Sequence, residues 1–299
     1  MAKWAMEMYI DTYQNLMALY GVAGTKSETE KFAGGQVTLT YEMLMPDGKA
    51  LQSCTSHDLG QNFAKAFDWS VQDARGQKLY PWQNSWGFST RCIGGLIMVH
   101  GDDNGLVLPP NIAPIQVVVV PIPGVKSETF AYATHVVTSL RDLGVRVAYD
   151  DREGESAGFK FNKWEVRGVP VRLEIGDKEA AAKVVTAVVR DTLQRSEIEV
   201  SEIPGMLKNL QMKLLAAHKK FTLDNTHRVD LYDEFKNIMA GPKGFISALW
   251  CESADCEAQI KKDTKATTRC LPFDAPEEVG VCVHCGKPAI HRWLFGQSY

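Results

Sequence analysis

The sequence has no apolar stretch approaching the ~18 residues that a membrane-crossing helix needs. Its densest run, residues 115–122, holds four consecutive valines and is closed by Pro121 and Pro123. No membrane partner is implied. Neither charge sign is in excess: 33 Lys and Arg stand against 36 Asp and Glu, so any nucleic-acid surface must be a local patch rather than a property of the whole chain. The amino terminus carries Lys3, Glu7 and Asp11 in a helical pattern, without the continuous apolar core and small-residue cleavage site of a secretory leader, and the expected location is the cytoplasm. Repeats and low-complexity segments are missing as well. Cysteine is scarce until the end, where five of the seven fall within the last fifty residues. An odd count, clustered and without a leader, favours a metal over disulfides.

What is present has the hydrophobic content of packed globular domains. Trp4, Met8, Tyr9, Tyr13, Leu16, Met17 and Tyr20 recur at helical spacing, with Gly21 as a left-handed stop. Residues 37–45 read as a strand, Pro46-Asp47-Gly48 as a tight turn, and residues 51–53 as the returning strand. A helix over 61–67 and a strand-to-helix segment over 84–97 follow. Pro109, Pro110 and Pro114 mark a boundary. Beyond it the pattern alternates: strand 115–122, helix 127–143, strands 145–149 and 169–175, then a helix from Ala180 to about residue 190, which predicts a small α/β sandwich. Residues 204–239 read as helical, and the cysteine-rich tail closes the chain.

Residues 84–95 (NSWGFSTRCIGG) resemble the third signature motif of class II aminoacyl-tRNA synthetases, in the form found in prolyl-tRNA synthetases. Glycines let a strand and helix approach a nucleotide closely, and a fixed guanidinium can stack on adenine and pair with phosphate. A glycine-flanked arginine alone is a weak signal. Residues 31–35 (KFAGG), 55–63 (TSHDLGQNF), 158–165 (GFKFNKWE), 168–176 (GVPVRLEIG) and the closing 294–299 (LFGQSY) resemble the same family in the same order, the last in its archaeal and eukaryotic branch. The resemblance implies an α/β (α+β) fold in three parts. Residues 1–112 would be the later part of an antiparallel-sheet class II catalytic domain, 113–203 an α/β anticodon-binding domain, and 204–299 a zinc-binding domain.

It also implies proline–tRNA ligase chemistry: proline and ATP give prolyl-adenylate, and proline passes to tRNA-Pro, with Mg²⁺ accompanying ATP. Such chemistry rests on positioning and on cations opposing phosphate charge. By the resemblance, Arg91 is the ATP-binding and catalytic cation, and Gln52, Thr55, Ser89 and Thr90 orient the nucleotide. Phe32, His57 and Gly94 border proline. Without the resemblance, His57 is equally well a strand-end histidine with a backbone partner, and Phe32 a core residue. Lys160, Lys163, Trp164, Glu165 and Arg172 are the expected tRNA-reading residues, with Arg167 and Phe159 beside them; stacking and edge hydrogen bonds are how single-stranded bases are read. Cys54 and Asp177 depart from the family, where glycine and proline are expected.

Cys251 with Cys256, and Cys282 with Cys285, are two close pairs able to form a closed, structural four-thiolate zinc site. Cys270 reads as a buried thiol, while His284 and His291 are alternates that four cysteines leave unneeded. The family's first and second motifs, with the motif 2 arginine that binds the α-phosphate, and its Thr-x-Glu segment that holds the imino group have no counterpart in these residues, so the chain alone is expected to be inactive, and the complete enzyme a homodimer. The alternative from another class is a non-catalytic tRNA-binding module that keeps the later domains.

Overall fold

The computed structural model describes residues 1–299, which form two compact units. The first is discontinuous, combining Met1–Tyr13, Leu19–Gly95 and His218–Tyr299; the second comprises Gln14–Ala18 and Leu96–Ala217. No helix is long and apolar enough to cross a membrane.

The chain opens with α1 (Ala2–Asp11), prolonged by one wide π turn over Thr12–Leu16. The helix expected to reach Tyr20 therefore ends sooner. Ala18 takes the left-handed conformation (φ 54°), whereas Gly21 answers a different need: a Cβ there would sit 2.7 Å from the Glu42 carbonyl oxygen. Next come β1 (Val22–Thr25), β2 (Val37–Leu44) and β3 (Ala50–Gly60). The expected hairpin is present, with Gly48 at φ 77° and the Met45 N–H donating to the Lys49 carbonyl at 2.9 Å. After α2 (Asn62–Ala66) and the small ribbon of β4 (Val71–Gln72) and β5 (Lys78–Leu79), the motif segment supplies β6 (Gln83–Phe88) and α3 (Arg91–His100).

The second unit contains β7 (Val117–Pro121), α4 (Ser127–Asp142), β8 (Val147–Tyr149), α5 (Ala157–Val166), β9 (Val171–Ile175), α6 (Asp177–Ala182), β10 (Val185–Val189) and β11 (Arg195–Ile198). Its sheet runs in the order β11-β10-β9-β7-β8, parallel about β7 and antiparallel beyond β9. All four valines of β7 are buried because both sheet faces are covered, as a parallel sheet requires. Val117 and Val119 join Ala133, Val136 and Leu140 of α4; Val118 and Val120 join Trp164 of α5. The helix expected to reach residue 190 stops at Ala182, where Lys183 turns left-handed, and the β-branched run that follows is β10.

Helix α7 (Ile203–Asp224) leads back to the first unit, where β12 (Thr226–Val229) interrupts the stretch read as helical and α8 (Tyr232–Ala240) resumes it. Then follow β13 (Phe245–Leu249), α9 (Ala254–Thr264), β14 (Ala266–Pro272), the ribbon of β15 (Gly280–Val281) and β16 (Pro288–Ala289), and β17 (Arg292–Gln297). One eight-stranded sheet, β12-β13-β17-β14-β1-β2-β3-β6, joins the early and late segments at the antiparallel pair β14 and β1.

Candidate functional site

Three places carry the sequence-derived candidates. The first is the open face of β3 and β6. On the opposite face, α1 covers the strands: Tyr9 stacks on Phe88 with ring centroids 5.6 Å apart, and Trp4 meets the edge of Trp86 at 6.0 Å. Cross-strand pairs Thr55 with Gly87 and His57 with Ser85 therefore look the other way. A bulge at Ser53, which has no partner between the pairs Tyr41–Cys54 and Glu42–Gln52, shifts the alternation by one residue. The shift brings Gln52 into phase with Thr55 and His57, all three half-buried, while Ser53, Cys54 and Ser56 are buried.

His57 is held at both ring nitrogens, Nδ1 2.9 Å from Thr38 Oγ1 and Nε2 3.0 Å from Thr55 Oγ1. Burial pushes its pKa down, which keeps the imidazole neutral near pH 7. The Phe32 ring lies 4.8 Å from that imidazole and 6.2 Å from Phe63, and its N–H donates to Thr38 Oγ1 at 2.9 Å. Phe32 remains 46% exposed, so it is not a core residue. Arg91 begins α3 and its Nη1 donates to the Gln52 carbonyl at 2.8 Å; its own N–H donates to Ser89 Oγ at 3.4 Å. Ser89 and Thr90 stand exposed before the helix, and Gly94 leaves open space where a side chain would project. The Cys92 and Ile93 N–H groups close the first turn on the Ser89 and Thr90 carbonyls at 3.1 and 3.0 Å, so an anion at this helix start would meet the Arg91 guanidinium first. The Cys54 thiol points into the core, where burial pushes its pKa up to about 12, so it does not narrow the open face.

The second place is the tail. Cys251 lies after β13, Cys256 in the first turn of α9, and Cys282 and Cys285 around the tight turn between β15 and β16, where Gly286 is left-handed. Their four Sγ atoms lie within 4.8 Å of one another, and Cys251 is 3.6 Å from both Cys256 and Cys285. A tetrahedral ion with metal–sulfur bonds near 2.3 Å requires sulfurs ~3.8 Å apart, so the thiols fit a metal and are too far apart for disulfides. Backbone donation from Lys287 lowers Cys285 to about 7, whereas burial pushes Cys251 and Cys256 up, so without an ion the cluster favours at most one thiolate. His284 is a neighbour of Cys256 at 3.4 Å, outside the four-sulfur set; Cys270 is a buried thiol of β14.

The third place is α5 and β9. Lys160, Trp164 and Arg172 are buried. The Lys160 Nζ donates to the Asp150 carbonyl at 3.3 Å, and Trp164 Nε1 to the Asp150 carboxylate at 2.6 Å. Burial opposes ionisation of Asp150, yet hydrogen bonds from Arg152 and Trp164 hold it down to about 2. Arg172 bridges Glu165 (2.5 Å) and Glu174 (3.0 Å) over the Phe161 ring. Lys163 and Arg167 flank the Trp164 ring at 5.3 and 5.4 Å, while Phe159 and Arg167 are exposed and Lys163 is partly so. The buried members thus brace α5, and the accessible groups are Phe159, Lys163, Glu165 and Arg167.

Known proteins match along the whole chain. The family described as "Anticodon binding domain" fits residues 116–210, and "Prolyl-tRNA synthetase, C-terminal" fits residues 232–299. The proline–tRNA ligase of Flavobacterium johnsoniae is 46% identical, over 98% of this chain and 61% of its own length. Proline–tRNA ligase 2 of Clostridioides difficile is 44% identical, over 98% and 62%. The prolyl-tRNA synthetase of Cryptosporidium parvum, crystallised with L-proline and AMP, superposes on 100% of this chain and 67% of its own with a TM-score of 0.91 and 40% identity. The chain belongs to the prolyl-tRNA synthetase family. It spans about three-fifths of the length of the curated relatives it matches.

Within this prolyl-tRNA synthetase chain, several residues around the open face escaped the sequence reading. Thr38, pinned between Phe32 and His57, is one. Glu42, wholly buried, is another: Lys26 Nζ lies 2.9 Å from it, and Arg269 of β14 donates to one of its oxygens at 2.9 and 2.7 Å. Burial opposes its charge, but the two cations hold its pKa below the ordinary value. An alternating Thr-rich strand gives no sign that its one acidic residue has partners on both sides of the sheet junction.

Proposed function

We propose that the chain supplies the motif 3 side of the active centre, the anticodon-binding domain and the metal-binding tail of a cytoplasmic proline–tRNA ligase, homodimeric in its full form. The observation that carries this is the single open face on which Phe32, Gln52, Thr55, His57 and Arg91 meet. Arg91, assisted by Ser89 and Thr90 at the start of α3, takes ATP phosphate and adenine; Mg²⁺ travels with the ATP. Gln52 and Thr55 orient the nucleotide, and Phe32, His57 and the open space at Gly94 receive proline. The neutral His57, fixed by Thr38 and Thr55, offers a positioned dipole rather than a charge to the reacting carboxylate. The tail thiolates of Cys251, Cys256, Cys282 and Cys285 hold Zn²⁺, whose part is to cross-link the fold. Lys160, Trp164 and Arg172 shape, and Lys163 and Glu165 touch, the anticodon of tRNA-Pro.

Attack of proline's carboxylate on the α-phosphate needs a cation at that phosphate and an anchor for the imino group. The residues above offer one cation, Arg91. Each preorganised donor of this kind is worth roughly 3–4 kcal/mol, or about 10²- to 10³-fold in rate. Proline-dependent exchange of pyrophosphate into ATP by the polypeptide Met1–Tyr299 alone is therefore expected to stay at background. Robust exchange that Arg91→Ala abolishes would overturn this and locate a complete adenylation site within these residues.

A further inference from the structure

The loop between β1 and β2, which carries Phe32, is tied to α9 by one carboxylate. Glu257, 5% exposed, accepts hydrogen bonds from Thr29 Oγ1 and Thr268 Oγ1, and Ser27 Oγ lies 3.3 and 3.4 Å from its two oxygens. Ser27 Oγ is also 3.0 Å from Thr268 Oγ1 and 3.1 Å from Thr29 Oγ1, so three hydroxyls from two strand-linked segments converge on one buried anion. From Ser27 the chain of contacts runs on: its Oγ and carbonyl receive the Glu30 N–H, and its carbonyl the Lys31 N–H at 2.9 Å. Phe32 N–H then reaches Thr38, which touches His57. Glu257 directly follows Cys256 in the first turn of α9, and Cys256 is one of the four clustered thiols.

We propose that Glu257 is a positioning residue that sets the place of the Phe32 loop, and that through Cys256 it makes the order of this loop depend on metal in the cysteine cluster. A bound ion would fix the turn from which the Glu257 carboxylate projects, and the three hydroxyls would follow it. The consequence for proline selection rests on the reading of Phe32 as the wall of the proline pocket; the link between helix and loop does not.

The test is amide hydrogen exchange on the whole chain, metal-loaded, with metal content measured in parallel. A hydrogen bond to a charged group is commonly worth enough to change local opening about ten- to a hundredfold. Glu257→Ala is expected to raise exchange of the Lys31, Phe32 and Gly35 amides by roughly that factor, while the metal stays bound and the amides of α8 keep their protection. Glu257→Gln, which still accepts one hydrogen bond and can donate another, is expected to restore part of the loop's protection. Chelating the metal should loosen the same loop in the unmodified chain and add little in Glu257→Ala. Unchanged loop exchange in Glu257→Ala would overturn the positioning role. An unchanged loop after chelation would overturn its dependence on metal. Both readouts are blind to proline, so a failed pocket assignment would leave them untouched.

Discussion

The cysteine cluster and the open face of β3 and β6 belong to one unit, yet they are built in opposite ways. The cluster has all four ligands in one place, three of them on short turns whose geometry the neighbouring backbone fixes. The open face has Phe32, His57 and Arg91, of which only His57 is half-buried, while Phe32, Ser89, Thr90 and Arg91 are exposed. A closed set of ligands stores its free energy in folding, whereas an open set stores nothing until a ligand comes. Mutations in the first should be read as lost stability, and in the second as lost chemistry.

The largest effect expected from this contrast is metal removal. Structural zinc contributes roughly 10–16 kcal/mol of apparent binding energy in small zinc domains. Here the core around Phe235, Ile260, Trp293 and Phe295 retains part of the fold, so chelation, or Cys251→Ser, should lower the melting temperature by more than about 10 °C without full unfolding. Calorimetry with and without chelator checks this, and an unchanged melting curve would remove the contrast.

Next in size is Glu42. Replacing it with Gln leaves Lys26 and Arg269 buried without their counter-charge, and breaking such a pair costs about 3–5 kcal/mol. Because the folded carboxyl titrates below its ordinary value of 4.5, its contribution is complete above that pH and is lost as pH falls toward the lower folded value. Denaturant midpoints from pH 7 to 3 should show a steep acid decline in the unmodified chain and a flatter one in Glu42→Gln. The smallest effect is the most telling. Arg91→Ala, at an exposed helix start, should change stability by no more than about 0.5 kcal/mol. A larger loss would mean that the open face is a structural element like the cluster.

The sequence made the local chemistry legible. The hairpin turn at Gly48, the two cysteine pairs and the motif segment leading into Arg91 each depend on residues close in the chain. Longer-range matters were not legible. Whether residues 183–190 are helix or strand depends on the vacancy beside β9, which β-branched valines fill. Gln52 joins the open face only through a bulge whose partner strand decides its register. Lys160, Trp164 and Arg172 have the residue types of an RNA surface, and their burial is set by Asp150, Glu165 and Glu174, which no spacing rule couples to them. The continuous eight-stranded sheet was invisible for the same reason: a strand encodes its faces, not its neighbour.

That sheet sets an order of events during synthesis. Gly24 must pair with Pro272, about 250 positions later, which at 5–20 residues per second is a wait of roughly 12–50 seconds on the ribosome. The sheet core of the second unit, built from residues 117–207, can be finished in that interval. Meanwhile β1 presents an unpaired edge, and the central sheet closes only when the last seventy or so residues emerge. In that interval the intervening segment can be folded while β1 still lacks β14, and that interval, rather than the finished sheet, is where a holding chaperone has something to grip.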